Sequence, residues 1–309
     1  MMRRALPLLA LLAVVGASSP AGAWCRTTTS RLRSSVPGEC AMTGIPLSWR
    51  NRCTGYSLYR LGVPEEVPWD DLVSIMQTSA AAWAAATCDE HGRERQFYEV
   101  RELSPTLNPT GYISTGQNSN TISFRSRWGE DAIHRQGTIA ITIVTFDSLT
   151  GEIYDGDIEL NTFHETNNTG GFQFSIARLT EMGSADLQTI LTHELGHFHG
   201  LAHSANDRAV MWPEAGLGET RRDLTYDDTA GVCAIYPASQ TPVGVRCNPV
   251  PYGGLATLPG GTKVTGGSCS VGPVGARARG AFAAALAGLC AVALKKRRGS
   301  RRRTAPETA

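Results

Sequence analysis

Four histidines and a glutamate within eleven residues, three of those histidines at the spacing of a metal site, constrain this 309-residue chain more than any other feature. The stretch reads His193-Glu194-Leu195-Gly196-His197-Phe198-His199-Gly200-Leu201-Ala202-His203. On an α-helix His193 and His197 sit one turn above the other, about 40° apart around the axis, so both imidazoles reach one point in space. His203 cannot join them if the helix continues, because ten residues carry it about 15 Å along the axis. The chain must turn back before it. Gly200 is where that can happen, since glycine takes a positive φ at no steric cost and often ends helices in that way.

Three neutral imidazoles gathered like this suit Zn²⁺ with its fourth tetrahedral position left for water, the pattern of a catalytic and not a structural site. Glu194, adjacent to the first ligand, is placed to serve as general base, taking a proton from that water and passing it to a leaving amine. His199 lies about 200° round the helix from His197 and is expected to point away from the metal. His91, His134 and His164 stand alone and are read as structural histidines.

The two ends look like addresses. Met-Met-Arg-Arg, an apolar run from Ala5 to Val15 and Ala21-Gly22-Ala23 follow the order of a secretory signal, so residues 1–23 are expected to direct Sec export, with cleavage after Ala23. At the other end the apolar run Gly280 to Leu294 spans only about 22 Å, short of the ~30 Å hydrocarbon core. It precedes Lys295-Lys296-Arg297-Arg298 and Arg301 to Arg303, so one reading is a weak membrane anchor with positive-inside arginines. Setting aside Arg3, Arg4 and the nine basic residues from Arg277 to Arg303 leaves 18 basic against 27 acidic residues between Trp24 and Ser268. That acidic body argues against a nucleic-acid partner. Cys25, Cys40, Cys53, Cys88, Cys233 and Cys247 are even in number in an exported chain, which favours disulfides. Sequential pairing is the expectation, with Cys40 bonded and not acting as a zinc-blocking thiolate.

Between the ends, residues 24–44 form an N-terminal segment, 45–237 the compact domain, 238–268 a Gly/Pro-rich linker and 269–309 the tail. A helix is predicted from Trp69 to Thr87, with Pro68 and the Asp70-Asp71 pair at its start and Leu72, Ile75, Met76, Ser79 and Trp83 facing the core. Strands are predicted at Gln96 to Leu103, Thr121 to Phe124, Thr138 to Phe146 and Glu152 to Asn161. Two helices follow, Ser184 to His199 and Thr225 to Tyr236, the second opened by a capping box of Thr225 and Asp228.

The eleven-residue pattern is similar to the metzincin signature, and Ala209-Val210-Met211-Trp212-Pro213 resembles the Met-turn that follows it. Ser204, directly after the third histidine, resembles the matrixins, the matrix metalloproteinase group. Ile45 to Trp49, the Trp83 helix, Thr138 to Asn161 and Leu224 to Gly231 resemble that family's first strand, first helix, cleft strands and closing helix. The resemblance implies an α+β, zincin-like fold: a twisted, mostly parallel sheet with an antiparallel edge strand, packed on two long helices with a third at the C-terminus. It implies zinc ligands His193, His197 and His203, the base Glu194, Met211 as an apolar floor under the metal, and one catalytic Zn²⁺. Two features depart from the family. The strand Asp157-Ile158-Glu159-Leu160-Asn161 lacks the histidine of a second, structural zinc; its carboxylates, with Asp155, are either Ca²⁺ ligands or ordinary surface groups. No PRCGxPD segment precedes the domain, so cysteine-switch latency does not transfer. Gly266-Gly267-Ser268-Cys269 with the apolar run and Arg cluster resembles the sorting tails of myxobacterial surface proteins.

The function this implies is that of an exported zinc endopeptidase, secreted or delivered to the cell surface, acting as a monomer on protein or peptide substrates. An extended substrate would pair with the edge strand near Ile141 to Phe146, and membrane contact would come through the tail alone. The alternatives are a non-catalytic, zinc-containing surface adhesion protein and a small-substrate metallohydrolase.

Overall fold

The computed structural model describes residues 23–30, 40, 43–50, 54–88, 100–103, 110–112, 119–130, 133–162, 171–237 and 263–273. The short strands β1 (Cys25–Arg26), β2 (Ser48–Trp49) and β3 (Tyr56–Tyr59) precede the helix α1 (Trp69–Ala84). Next come β4 (Val100–Leu103), β5 (Thr121–Arg125), β6 (Ala140–Asp147) and β7 (Glu152–Asn161). The two-residue strands β8 (Phe174–Ser175) and β9 (Ala185–Asp186) lead into α2 (Leu187–Phe198). After it stand β10 (Leu201–Ala202), β11 (Glu214–Ala215), α3 (Tyr226–Ile235) and β12 (Lys263–Pro273).

The main sheet has the order β11-β12-β6-β7-β5-β3-β4. Strands β7, β5, β3 and β4 run parallel, β2 adds to β7 in parallel, and β6 is antiparallel to β7. This is the expected mostly parallel sheet with its antiparallel strand on the cleft side. Strand β12 starts within the stretch read as linker and ends within the stretch read as tail. Strand β3 was not foreseen, although Tyr56-Ser57-Leu58-Tyr59 alternates buried and half-buried as a strand should.

One face of the sheet packs on α1 and α2. Leu72, Met76, Ser79, Ala80 and Trp83 form the buried stripe of α1, and the Trp83 indole N–H donates to the Thr192 carbonyl at 2.8 Å, joining the two helices. Gly156 of β7 lets α2 come close, since a Cβ there would lie 2.7 Å from the Phe198 ring. The Trp49 indole donates to the Phe198 carbonyl at 2.7 Å, so β2 fixes the far end of α2. The Thr225–Asp228 capping box opens α3 as predicted.

Two expectations are corrected. Cys25 bonds to Cys40, but Cys88, just past α1, bonds to Cys233 in α3, so the pairing is not sequential. Tertiary packing and not loop length chose that pair. Asp155, Asp157 and Glu159 are not surface groups either; all three are buried. Asp157 accepts the N–H groups of Gly111 (2.6 Å) and Thr121 (2.9 Å), and Glu159 meets His134 at 2.8 Å and Arg125 at 3.4 Å. His134 is thereby the structural histidine it was read as. Burial pushes the Asp155 carboxyl up to about 7 and Asp157 well above the ordinary carboxylate range. No helix among the described residues is long and apolar enough to cross a membrane. The signal-like residues 1–22, the apolar run 280–294, Cys53, Cys247, His91 and His164 lie outside the described residues.

Candidate metal centre

Helix α2 begins at Asp186, whose carboxylate accepts the Thr189 N–H at 2.8 Å and the Arg222 guanidinium at 2.5 and 3.0 Å. Burial alone would raise this carboxyl, but the hydrogen bonds from Arg222, Thr189 and Thr180 hold it below the usual carboxylate range. That anchored start sets the rotation of the helix, and with it the direction of His193, Glu194 and His197. The helix ends at His199, and Gly200 follows with φ +94°. A Cβ at Gly200 would also lie 2.6 Å from the Leu47 carbonyl oxygen, so both the turn and the packing exclude a side chain. Strand β10 then returns the chain, held antiparallel to β1, and delivers His203 beside the first two histidines.

The ligand atoms of His193, His197 and His203 all lie within 4.8 Å of one another. Nδ1 of His193 donates to the Val210 carbonyl at 2.7 Å, and Nδ1 of His197 donates to the Leu201 carbonyl at 2.8 Å. Those bonds fix the tautomer, so the two Nε2 lone pairs face each other 3.0 Å apart. Two acceptors so close repel unless a cation lies between them. Two Zn–N bonds of about 2.05 Å at a tetrahedral angle would separate the nitrogens by about 3.3 Å, so the donor set fits zinc. Burial, and then the neighbouring His197, lower the His193 pKa well below its ordinary value, keeping that imidazole neutral as ligation requires. Among the described residues this trio is the group of His, Cys, Asp and Glu side chains suited to hold a metal ion.

Glu194 points toward β6, where the Thr142 hydroxyl lies 2.5 Å from its Oε2. Met211 sits under the helix: a Cβ on Gly196 would lie 2.2 Å from its sulfur. The turn carrying it is tied to α3, because Asp228 accepts the N–H groups of Val210 and Met211 at 3.0 Å each. Asp227 accepts the Ser204 hydroxyl at 2.6 Å and the main-chain N–H groups of Ala23 (2.6 Å) and Trp24 (3.1 Å). His199 is fully buried against Trp83 and Tyr236, outside the metal-compatible group, as the helical geometry predicted.

The residues read from the sequence therefore come together. Missed were Thr142, which orients Glu194, and the Asp227-Asp228 pair, which holds the residue after His203 and the Met211 turn. Asp228 carried a signal as half of a capping box; its second task, facing Val210 and Met211, is tertiary and left none.

A family model described as Matrixin matches residues 74–237. Neutrophil collagenase of Homo sapiens is 29% identical over 153 residues, 48% of this chain and 30% of that protein. Metalloendoproteinase 1-MMP of Arabidopsis thaliana is 45% identical over 53 residues, 17% of this chain and 15% of that protein. Stromelysin-1 of Rattus norvegicus is 32% identical over 80 residues, 25% of this chain and 17% of that protein. The chain thus covers less than a third of each relative's own length.

Proposed function

This chain belongs to the matrixin family, and from that premise we propose that it is an exported zinc endopeptidase cutting protein or peptide substrates at His193, His197 and His203. The convergence of the three imidazoles around one point, with Glu194 on the same helix, carries the reading. Zinc held by His193, His197 and His203 would supply Lewis-acid chemistry at the scissile carbonyl. Glu194 would act as general base, taking a proton from the attacking water and handing it to the departing amine. Thr142 positions the carboxylate through Oε2, and the β6 backbone aligns an extended substrate by strand addition. The chain after Met211, including β11, forms the opposite wall.

Export is supported by the signal-like residues 1–23 and by the Cys25–Cys40 and Cys88–Cys233 disulfides, which belong to an oxidising compartment. The tail from Cys269 would deliver the protein to the cell surface. The test pairs zinc analysis by mass spectrometry with cleavage of casein or gelatin by the mature chain, with and without Glu194→Ala. About one zinc per chain in both, with chelator-sensitive cleavage in the parent alone, is expected. Zinc bound without cleavage would move the weight to a latent enzyme or a binding protein, and no zinc would overturn the reading.

A further inference from the structure

Strand β12 lies where a substrate would. It runs antiparallel to β6 from Lys263 opposite Asp147 to Val271 opposite Ala140. Its last two residues, Gly272 and Pro273, run parallel to Glu214 and Ala215 of β11. The segment is therefore bonded on both sides, between the strand proposed to align substrate and the wall that follows Met211. Its register also places it at the chemistry. Cys269 stands opposite Thr142, whose hydroxyl holds Glu194, so the backbone from Cys269 to Gly272 crosses the groove beside the proposed base. A strand that served only to cover the β6 edge would need no partner in β11. On the helix beside this groove Glu194 (0% exposed), His193 (1%) and His197 (3%) are buried.

We propose that residues Lys263–Pro273 are an intramolecular occupant of the peptide-binding groove that holds the enzyme latent until the segment is displaced or removed. The proposal rests on the endopeptidase reading above and adds to it a built-in inhibitor of defined register. The composition suits a removable strand: Lys-Val-Thr-Gly-Gly-Ser-Cys-Ser-Val-Gly-Pro has no aromatic residue and three glycines, which weaken a strand. The register shift between Thr265 and Gly267 leaves Gly266 as an extra residue that interrupts the ladder. So weak a strand can still prevail over free peptides, because its pairing is intramolecular, worth an effective concentration on the order of mM. Latency would then come from the C-terminal side of the catalytic domain.

The test uses the full mature chain loaded with zinc, and a variant carrying Val264→Pro, Ser268→Pro and Ser270→Pro, which removes three N–H groups from β12 without touching the metal site. Initial rates are followed on a short fluorogenic peptide, and hydrogen exchange is followed for the amides of Ala140–Asp147. The proline variant should cleave at least about tenfold faster, its β6 amides should exchange faster than the parent's, and a synthetic peptide of residues 262–274 should inhibit it competitively. Equal rates with equal exchange would overturn the proposal while leaving the peptidase reading intact. If neither chain cleaves, the peptidase reading fails and exchange alone decides the occupancy: slower in the parent supports it, equal in both refutes it.

Discussion

Truncating Thr142 to alanine removes the hydroxyl 2.5 Å from Glu194 Oε2 and leaves every metal-compatible nitrogen in place. The expected outcome is a fall in kcat/KM of about 10- to 100-fold with unchanged zinc stoichiometry, read from initial rates and metal analysis. Asp155 gives a prediction in pH. Its carboxyl, pushed up to about 7 by burial, holds its proton more tightly in the folded chain than in the unfolded one. Stability from this group is thus complete below about pH 4 and is lost as pH rises through about 7. Asp155→Asn should flatten that slope and gain several degrees on the parent at pH 8, in thermal melts from pH 4 to 8. At this scale the placement of side chains was legible where covalent spacing decides it, as for His193, Glu194, His197 and Gly200. It was illegible where a residue acts on a distant neighbour. Thr142 sits 52 positions before Glu194, and nothing local marks it.

Strand β7 was readable because its run is long, and was foreseen to the residue as Glu152–Asn161, while α3 was readable because its start signal, the Thr225–Asp228 capping box, is local. Short strands such as β1, which holds β10 and so His203, have two residues each and no period to read. The register of β12 is set by β6 and β11, and its own residues favour turns over strands. Two connections between elements can be weighed. The start of α2 depends on Asp186, held below its ordinary pKa by Arg222, Thr189 and Thr180 against the effect of burial. That contribution is present above about pH 4 and is lost as pH falls through the lowered folded value. Arg222→Ala should therefore cost about 1–3 kcal/mol in urea unfolding at pH 7, and the difference should shrink at pH 3. The Cys88–Cys233 bond closes α1 onto α3 across 145 residues, a loop whose closure is worth about 5 kcal/mol in chain entropy. Replacing both cysteines with serine should lower the unfolding free energy by about 3–5 kcal/mol, measured by urea titration.

For the whole molecule, the metal should act as a ligand of the folded state. Chelation ought to lower the thermal midpoint, because free zinc at 100 times its Kd contributes about 2.7 kcal/mol. An unchanged midpoint after chelation would mean that the folded chain holds zinc no better than the unfolded one, against the reading of the three histidines as its ligands. The overall architecture followed from the helix–sheet–helix order and the family likeness, while the buried acidic face of β7 did not, since the residues that cover it, near Gly111 and His134, lie in loops. The Cys88–Cys233 bond also carries a consequence for the order in which the chain is made. Synthesis runs from the N-terminus, so Cys88 arrives when its partner is still 145 residues away. Cys25, Cys40 and Cys53 are already present by then. The first partners Cys88 meets are the wrong ones, and the native bond waits for α3, nearly the last piece of the domain to arrive. A host producing this protein therefore needs thiol–disulfide exchange that can undo early bonds, and in one that only oxidises, the yield of correctly joined chain should fall.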